Sequence, residues 1–358
     1  MPNADDFYDL VSGRRRGVGP SALRAGLAAA EVPYAAAMWW RNRRYDRGLG
    51  VQHVEVPVIS IGNLTVGGTG KTPLVKWLAR YLRGRDVRVS IVSRGYGAQL
   101  GGANDEALEI ECDLPDVPHV QNPDRVAAAR LAIDELATQL ILLDDGFQHR
   151  RLARDLDIVL LDATQPFGFG HLLPRGTLRE GFNSLRRADI VCLTRSDLVA
   201  ADRRLEIQSQ LRRYTSRALW CEATHRPLRL TNASGHMLAL SELNDRPVFA
   251  FSGIGNPLAF QRTMEATGAK VVGQQKFADH HAYCREDIDS LSSAAMAADA
   301  EWLVCTQKDL VKIGVDEVGG RPLWAVAIDI EFLAGQQQLQ ARLDEIVAGL
   351  PIEVAADE

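Results

Sequence analysis

Residues 62–72, Gly62-Asn63-Leu64-Thr65-Val66-Gly67-Gly68-Thr69-Gly70-Lys71-Thr72, follow an apolar run at 56–61 and precede a helical pattern at 73–83. Glycines here let backbone N–H groups converge on an anion at a helix N-terminus, and the helix dipole favours negative charge. Lys71 can then neutralise β- and γ-phosphates, and the Thr72 hydroxyl can ligate magnesium. Strand, glycine-rich loop, lysine and helix in this order predict a nucleotide phosphate-binding loop, with Thr65, Gly67, Gly68, Thr69, Gly70, Lys71 and Thr72 as its contacts. The strict GxxxxGK[ST] pattern wants glycine six residues before Lys71, where this chain has Thr65.

A second apolar run, residues 140–143, delivers Asp144-Asp145-Gly146-Phe147-Gln148-His149. In a parallel sheet the ligand crevice lies beyond the carboxyl ends of the strands, so two carboxylates there suit a magnesium site shared with Thr72. The sequence does not rank Asp144 against Asp145. A third run, 87–92, opens into Ser93-Arg94-Gly95-Tyr96-Gly97 and, further on, Asn104-Asp105-Glu106. That connection, roughly 94–107, is longer than a mere link requires, which fits a substrate loop.

The elements that must position these groups follow from the pattern of short apolar runs. Runs at 56–61, 87–92, 140–143, 158–161 and 190–193 alternate with helical spacing, as at 123–137. This βαβα alternation predicts an α/β fold with a mostly parallel sheet of the P-loop NTPase kind. A polar, turn-rich stretch at 224–245, with Pro227 and Pro247 bracketing it, is expected to be a hinge. The expected organisation is thus a helical segment at 1–50, a P-loop domain at 51–223, the hinge, and a smaller α/β domain at 246–358. Its expected strands are 248–252, 271–272, 302–306 and 323–328.

Ahead of the first strand, residues 21–40 are alanine-rich and end in Met38, Trp39 and Trp40, followed by Arg41, Arg43, Arg44 and Arg47. Indoles beside arginines suit a helix lying in a membrane interface, with packing on its own domain as the alternative. No run of 18 apolar residues is present, so no membrane-crossing helix is expected. With 41 basic against 46 acidic residues the formal net charge is −5, which argues against nucleic-acid binding. Five scattered cysteines without a CxxC pair suggest neither zinc nor a disulfide frame. A reducing cytosol is the expected compartment.

The chain resembles the tetraacyldisaccharide 4'-kinase family. The resemblance rests on the Gly62-Asn63-Leu64-Thr65 loop, the Ser93–Gly97 block, the Asp105-Glu106 pair, the Asp144–His149 block and Thr306-Gln307-Lys308-Asp309. Leu172-Leu173-Pro174-Arg175-Gly176-Thr177-Leu178-Arg179-Glu180 and Phe277-Ala278-Asp279-His280-His281-Ala282-Tyr283 also match. Arg175, Thr177 and Gln307 depart from the family's usual alanine, proline and glutamate. The resemblance implies ATP and Mg2+ as cofactors and an acylated glucosamine disaccharide 1-phosphate lipid as acceptor, giving lipid IVA. It implies work at the cytoplasmic face of the inner membrane with no obligate protein partner. It also implies Asp105 as general base with His280, Arg179 on the transferring phosphoryl group, and Glu180 assisting the metal. Two rival readings differ in class. One is a P-loop switch GTPase or ATPase, suggested by Thr194-Arg195-Ser196-Asp197, which approaches a guanine-reading motif. The other is a membrane-binding module with nucleotide as a structural ligand.

Overall fold

The computed structural model describes residues 4–95, 105–279 and 281–351. Two helices lead, α1 (Ala4–Val11) and α2 (Val18–Asp46). Then follow β1 (Val58–Asn63), α3 (Lys71–Arg83), β2 (Val89–Ser93), α4 (Asp105–Asp113), β3 (His119–Gln121), α5 (Arg125–Leu136) and β4 (Leu140–Asp144). Next come β5 (Leu156–Asp162), β6 (Ile190–Thr194), α6 (Ala201–Arg212), β7 (Leu219–Thr231) and β8 (Met237–Leu238). The chain continues through β9 (Pro247–Ser252), α7 (Pro257–Ala266), β10 (Lys270–Lys276), α8 (Arg285–Ala297) and β11 (Trp302–Thr306). It ends with α9 (Gln307–Ile313), β12 (Glu317–Val318), β13 (Arg321–Ala334) and α10 (Gln336–Ala348).

Among the described residues the strands form a single 13-stranded sheet in the order β10-β9-β11-β13-β7-β6-β5-β1-β4-β2-β3, with β12 and β8 pairing with β13 and β7. β1 and β4 are parallel neighbours with Ile61 opposite Asp144, so the phosphate loop and the acidic turn leave the sheet side by side. Both strands are buried throughout, which explains why they read as continuous apolar runs and not as alternation. The Asp144–His149 turn presses so closely on β1 that a Cβ on Gly62 would stand 2.5 Å from Phe147 Cβ. Only glycine fits there.

The expected α/β fold with its mostly parallel sheet is present. The stretch expected as a hinge, 224–245, is structured differently. Its first part belongs to β7, whose start runs parallel to β6 and whose remainder runs antiparallel to β13. Pro227 misled the reading because it sits beside an irregularity in the ladder. Arg229 pairs with Ala327 and Pro227 with the next residue, Ile328, leaving Leu228 as the extra residue of a bulge. Bulges are where a sheet tolerates proline. β7 and β13, at 13 and 14 residues, splice the two halves of the sheet.

A buried polar knot ties helices across that splice. Lys76 of α3, 1% exposed, donates to Glu109 at 2.9 Å and to Asp113 at 2.6 Å on α4, and to Gln307 of α9 at 3.3 Å. Burial alone would lower the Lys76 pKa, but the two carboxylates outweigh it and raise the value. The α4–α9 contact continues through Glu106 to Lys308 at 2.7 Å and Asp105 to Lys312 at 2.8 Å. Gln307, where the resembled family usually has glutamate, also donates its amide to Asp113 at 3.1 Å. Removing the lysine leaves the buried Glu109 without its cation and Asp113 with only Arg229, at 3.8 Å. Lys76→Met is therefore expected to destabilise the fold by about 3–5 kcal/mol, read as a lowered urea midpoint. An unchanged midpoint would show that the knot carries no stability.

Candidate active site

The phosphate loop takes its shape from β1 and the Thr177–Arg179 segment. Val66 N–H donates to Thr177 carbonyl at 2.8 Å, Thr65 bridges Leu178, and Arg179 N–H donates to Leu64 carbonyl at 2.7 Å. Thr65, in the position where the strict motif has glycine, is thus committed to backbone pairing, and the glycines that must turn come later. Gly67 and Gly70 adopt positive φ of 109° and 81°, and Gly70 caps the N-terminus of α3. Thr69 is held from the far side, its carbonyl accepting the Thr194 hydroxyl at 2.8 Å.

Lys71 and Thr72 open α3 and line a cavity of about 1200 Å³ together with Gly67, Gly68, Thr69 and Gly70. Asp144 and Asp145 line the same cavity, yet their environments differ. Asp145 receives Arg179 at 2.8 Å and Lys71 at 3.3 Å. Although its burial works the other way, these cations hold its carboxyl below the usual range. Asp144 is 5% exposed, and its carboxylate accepts the Asp145 N–H at 2.9 Å. Burial, then the charge of Glu106, push its pKa up to about 7. Asp144 is therefore an under-compensated carboxyl beside the Thr72 end of the loop, a setting that a divalent cation would relieve.

Glu180 behaves otherwise. Fully buried, it accepts from Arg41 at 2.6 Å and Asn42 at 3.1 Å on α2, and from Arg187 at 2.9 Å. It does not line the cavity. Its carboxylate anchors α2 to the loop, so its expected place beside the metal is not where the structure puts it. Arg179 lines the cavity, while its carbonyl accepts the Tyr34 hydroxyl of α2 at 2.9 Å. Asp105 starts α4 with Lys312 as a partner and does not line the cavity. Its neighbour Glu106 lines the cavity itself. His280, Tyr96, Gly97 and Asn104 lie outside the described residues. His281 stacks on Phe277 and pairs with Asp287 at 2.8 Å, a structural contact.

Several cavity groups have no role assigned from sequence. Arg125 opens α5 behind the Asp124 cap, is 8% exposed and lines the cavity. An asparagine and proline before a capped, arginine-led helix was the available signal. Lys308 of α9 faces it from the other half of the sheet, where Asn256, Arg262 and Asp279 also contribute. Both halves of the sheet therefore wall one cavity.

Among the described residues, His119, His149 and His225 line it too. Burial pushes each down to about 4, with nearby arginines adding to the effect at His149 and His225. Their folded values lie below the unfolded value of about 6.5, so the unfolded chain takes up protons first as pH falls. Stability supported by these neutral rings is full above about pH 6.5 and is lost as pH falls through their folded pKa near 4. Urea unfolding at pH 7 and pH 5 should show a drop that is smaller in His119→Gln than in the native protein. Equal drops would mean that His119 is not held neutral.

Comparison with known proteins agrees with this geometry. The family model for Tetraacyldisaccharide-1-P 4'-kinase matches residues 23–348. A tetraacyldisaccharide 4'-kinase of Anaeromyxobacter dehalogenans (strain 2CP-C) is 41% identical over 347 residues, covering 91% of this chain and 92% of its own length. One from Geobacter sulfurreducens is 35% identical over 360 residues, covering 94% and 98%. Among solved structures, LpxK from Aquifex aeolicus in complex with ATP matches with a TM-score of 0.73 at 30% identity, covering 90% of this chain and 99% of that one. With a nucleotide phosphate loop, an acidic strand end and an arginine converging on one cavity, the chain belongs to the tetraacyldisaccharide-1-P 4'-kinase family, the ATP-dependent kinases of lipid A biosynthesis.

Proposed function

We propose that the cavity between the sheet halves transfers the γ-phosphoryl group of ATP to the 4'-hydroxyl of a tetraacyldisaccharide 1-phosphate, with Asp105 as the proton acceptor and Asp144 as the direct Mg2+ ligand. The observation that carries this reading is the convergence of Lys71, Arg179 and the acid pair at the carboxyl ends of β1 and β4. Phosphoryl transfer asks the protein chiefly for positioning and charge neutralisation. Loop amides and Lys71 hold the β- and γ-phosphates, and Arg179 meets charge on the transferring group. Asp145 keeps Lys71 and Arg179 together, which supports a positioning role for it.

Mg2+ suits this set because it is commonly held by one or two carboxylates together with phosphate oxygens. Thr72 and the under-compensated Asp144 would hold it, and it would supply charge neutralisation between the phosphates. Glu180 is left out of the metal set because three donors already occupy it. Asp105 accepts the proton of the attacking hydroxyl, its carboxylate oriented by Lys312. His280 is its partner by resemblance. The second half of the sheet walls the cavity opposite the phosphate loop, where it would exclude water that would otherwise take the phosphoryl group.

The acceptor is lipid-linked, and α2 supports docking at a membrane surface on the cytoplasmic side of the inner membrane. None of its residues is buried. Val18, Val32, Trp39 and Trp40 are all more than half exposed, and Arg43 and Arg44 close the helix. No helix among the described residues is long and apolar enough to cross a membrane. Polar contacts such as Glu31 with His171 at 3.1 Å and Arg41 with Glu180 fasten the other side of the helix to the body.

Two experiments test this reading. Asp105→Asn should lower kcat on the order of 10²–10⁴-fold with little change in KM for ATP, whereas Asp144→Asn should raise the Mg2+ concentration needed for half-maximal rate. Native kcat in Asp105→Asn would remove it as the base. Replacing Trp39 and Trp40 by serine should reduce co-sedimentation with anionic phospholipid vesicles, and unchanged sedimentation would exclude docking through these indoles.

A further inference from the structure

The turn after β6, Thr194-Arg195-Ser196-Asp197, approaches a guanine-reading sequence in a family that uses ATP, and the structure suggests how the two are compatible. The turn is clamped to the phosphate loop. Thr194 hydroxyl donates to Thr69 carbonyl at 2.8 Å, and Arg195 donates to Gly68 carbonyl at 2.8 Å while also pairing with Asp162. Asp197, immediately beyond, is exposed to the cavity, with Leu198 and Pro227 beside it in the wall. It stands at the carboxyl end of a parallel strand next to the phosphate loop, where the crevice of an open α/β sheet receives the rest of a nucleotide.

One oxygen of Asp197 is already engaged. Thr224, buried on β7, donates its hydroxyl to Asp197 Oδ1. Guanine presents two adjacent donors, N1–H and the N2 amino group, and pairs best with both oxygens of a carboxylate. Adenine presents the N6 amino group as its donor, and a single free oxygen suffices for it. The Thr224 hydroxyl takes one of the two lone pairs of Oδ1, so the cap weakens that oxygen as an acceptor for guanine's second donor while Oδ2 stays fully open to the adenine amino group, which shifts preference toward adenine.

We propose that the Thr224–Asp197 hydrogen bond is the purine-selecting element of the nucleotide site, with Asp197 accepting from the adenine amino group through Oδ2. This inference rests on ATP being the phosphoryl donor, and it adds the residue pair that makes it so. Thr224 acts through Asp197 and is a positioning residue.

The test compares kcat/KM for ATP and GTP with the full-length protein, and the binding of non-hydrolysable ATP and GTP analogues by calorimetry without lipid. Thr224→Val, close in shape but lacking the donor, should lower the ATP:GTP ratio by about tenfold, chiefly through improved GTP use, since a hydrogen bond to a charged group is the one removed. Thr224→Ser should keep the native ratio. Asp197→Asn should raise KM for ATP with kcat nearly unchanged. A native ratio in a Thr224→Val protein that melts like the native one would overturn the proposal, as would equal weakening of both nucleotides. If the valine variant fails to fold, an Asp197→Asn protein with unchanged KM for ATP overturns it alone. Failure of the ATP reading itself looks different, because the native protein would then bind no ATP analogue.

Discussion

The parallel pairing of β1 with β4 is the constraint on which the remaining chemistry depends. With Ile61 opposite Asp144, the chain must leave the sheet at two adjacent points, one becoming the phosphate loop and the other the acidic turn. A shift of one residue would set a side chain where Gly62 now meets Phe147, and the turn leaves no room for one. From that register follow the distances between Lys71, Asp145 and Arg179. The close approach of Phe147 to Gly62 locks the arrangement from behind.

A single doubly wound half would supply the nucleotide cradle but only part of the cavity wall. The long strands β7 and β13 extend the sheet without a break, and α9 of the second half reaches α4 of the first. Lys76 lies five residues beyond Lys71 on α3, so the knot it forms with Glu109, Asp113 and Gln307 links the phosphate helix to the helix that begins with Asp105. Structural polarity and site polarity are thus neighbours on the same helices. Buried polar groups of this kind hold their geometry only while every partner is present.

Much of this was legible in the sequence where local chemistry leaves few choices. The order strand, glycine loop, lysine and helix, and the apolar run ending in Asp144-Asp145, identify their elements because backbone donors and strand ends demand those residues. The fold class followed from the same alternation. Three things were less legible. The stretch after Thr224 read as a hinge because polar residues and Pro227 in an antiparallel, bulged strand look like a turn when the partner strand lies a hundred residues away. Glu180 looked like a metal ligand because its partners Arg41 and Asn42 come from a distant helix. Asp144 and Asp145, adjacent in sequence, acquire opposite pKa shifts only in the fold, where burial and then Glu106 raise Asp144 while Lys71 and Arg179 outweigh burial at Asp145.

The most direct test of the account is to follow γ-labelled phosphate from ATP into tetraacyldisaccharide 1-phosphate in mixed micelles with Mg2+, and to locate the new monoester by phosphorus NMR. The account predicts a labelled lipid carrying phosphate at the 4' position, formed at a rate well above ATP hydrolysis. ATP hydrolysis without lipid labelling, or label at another hydroxyl, would contradict it.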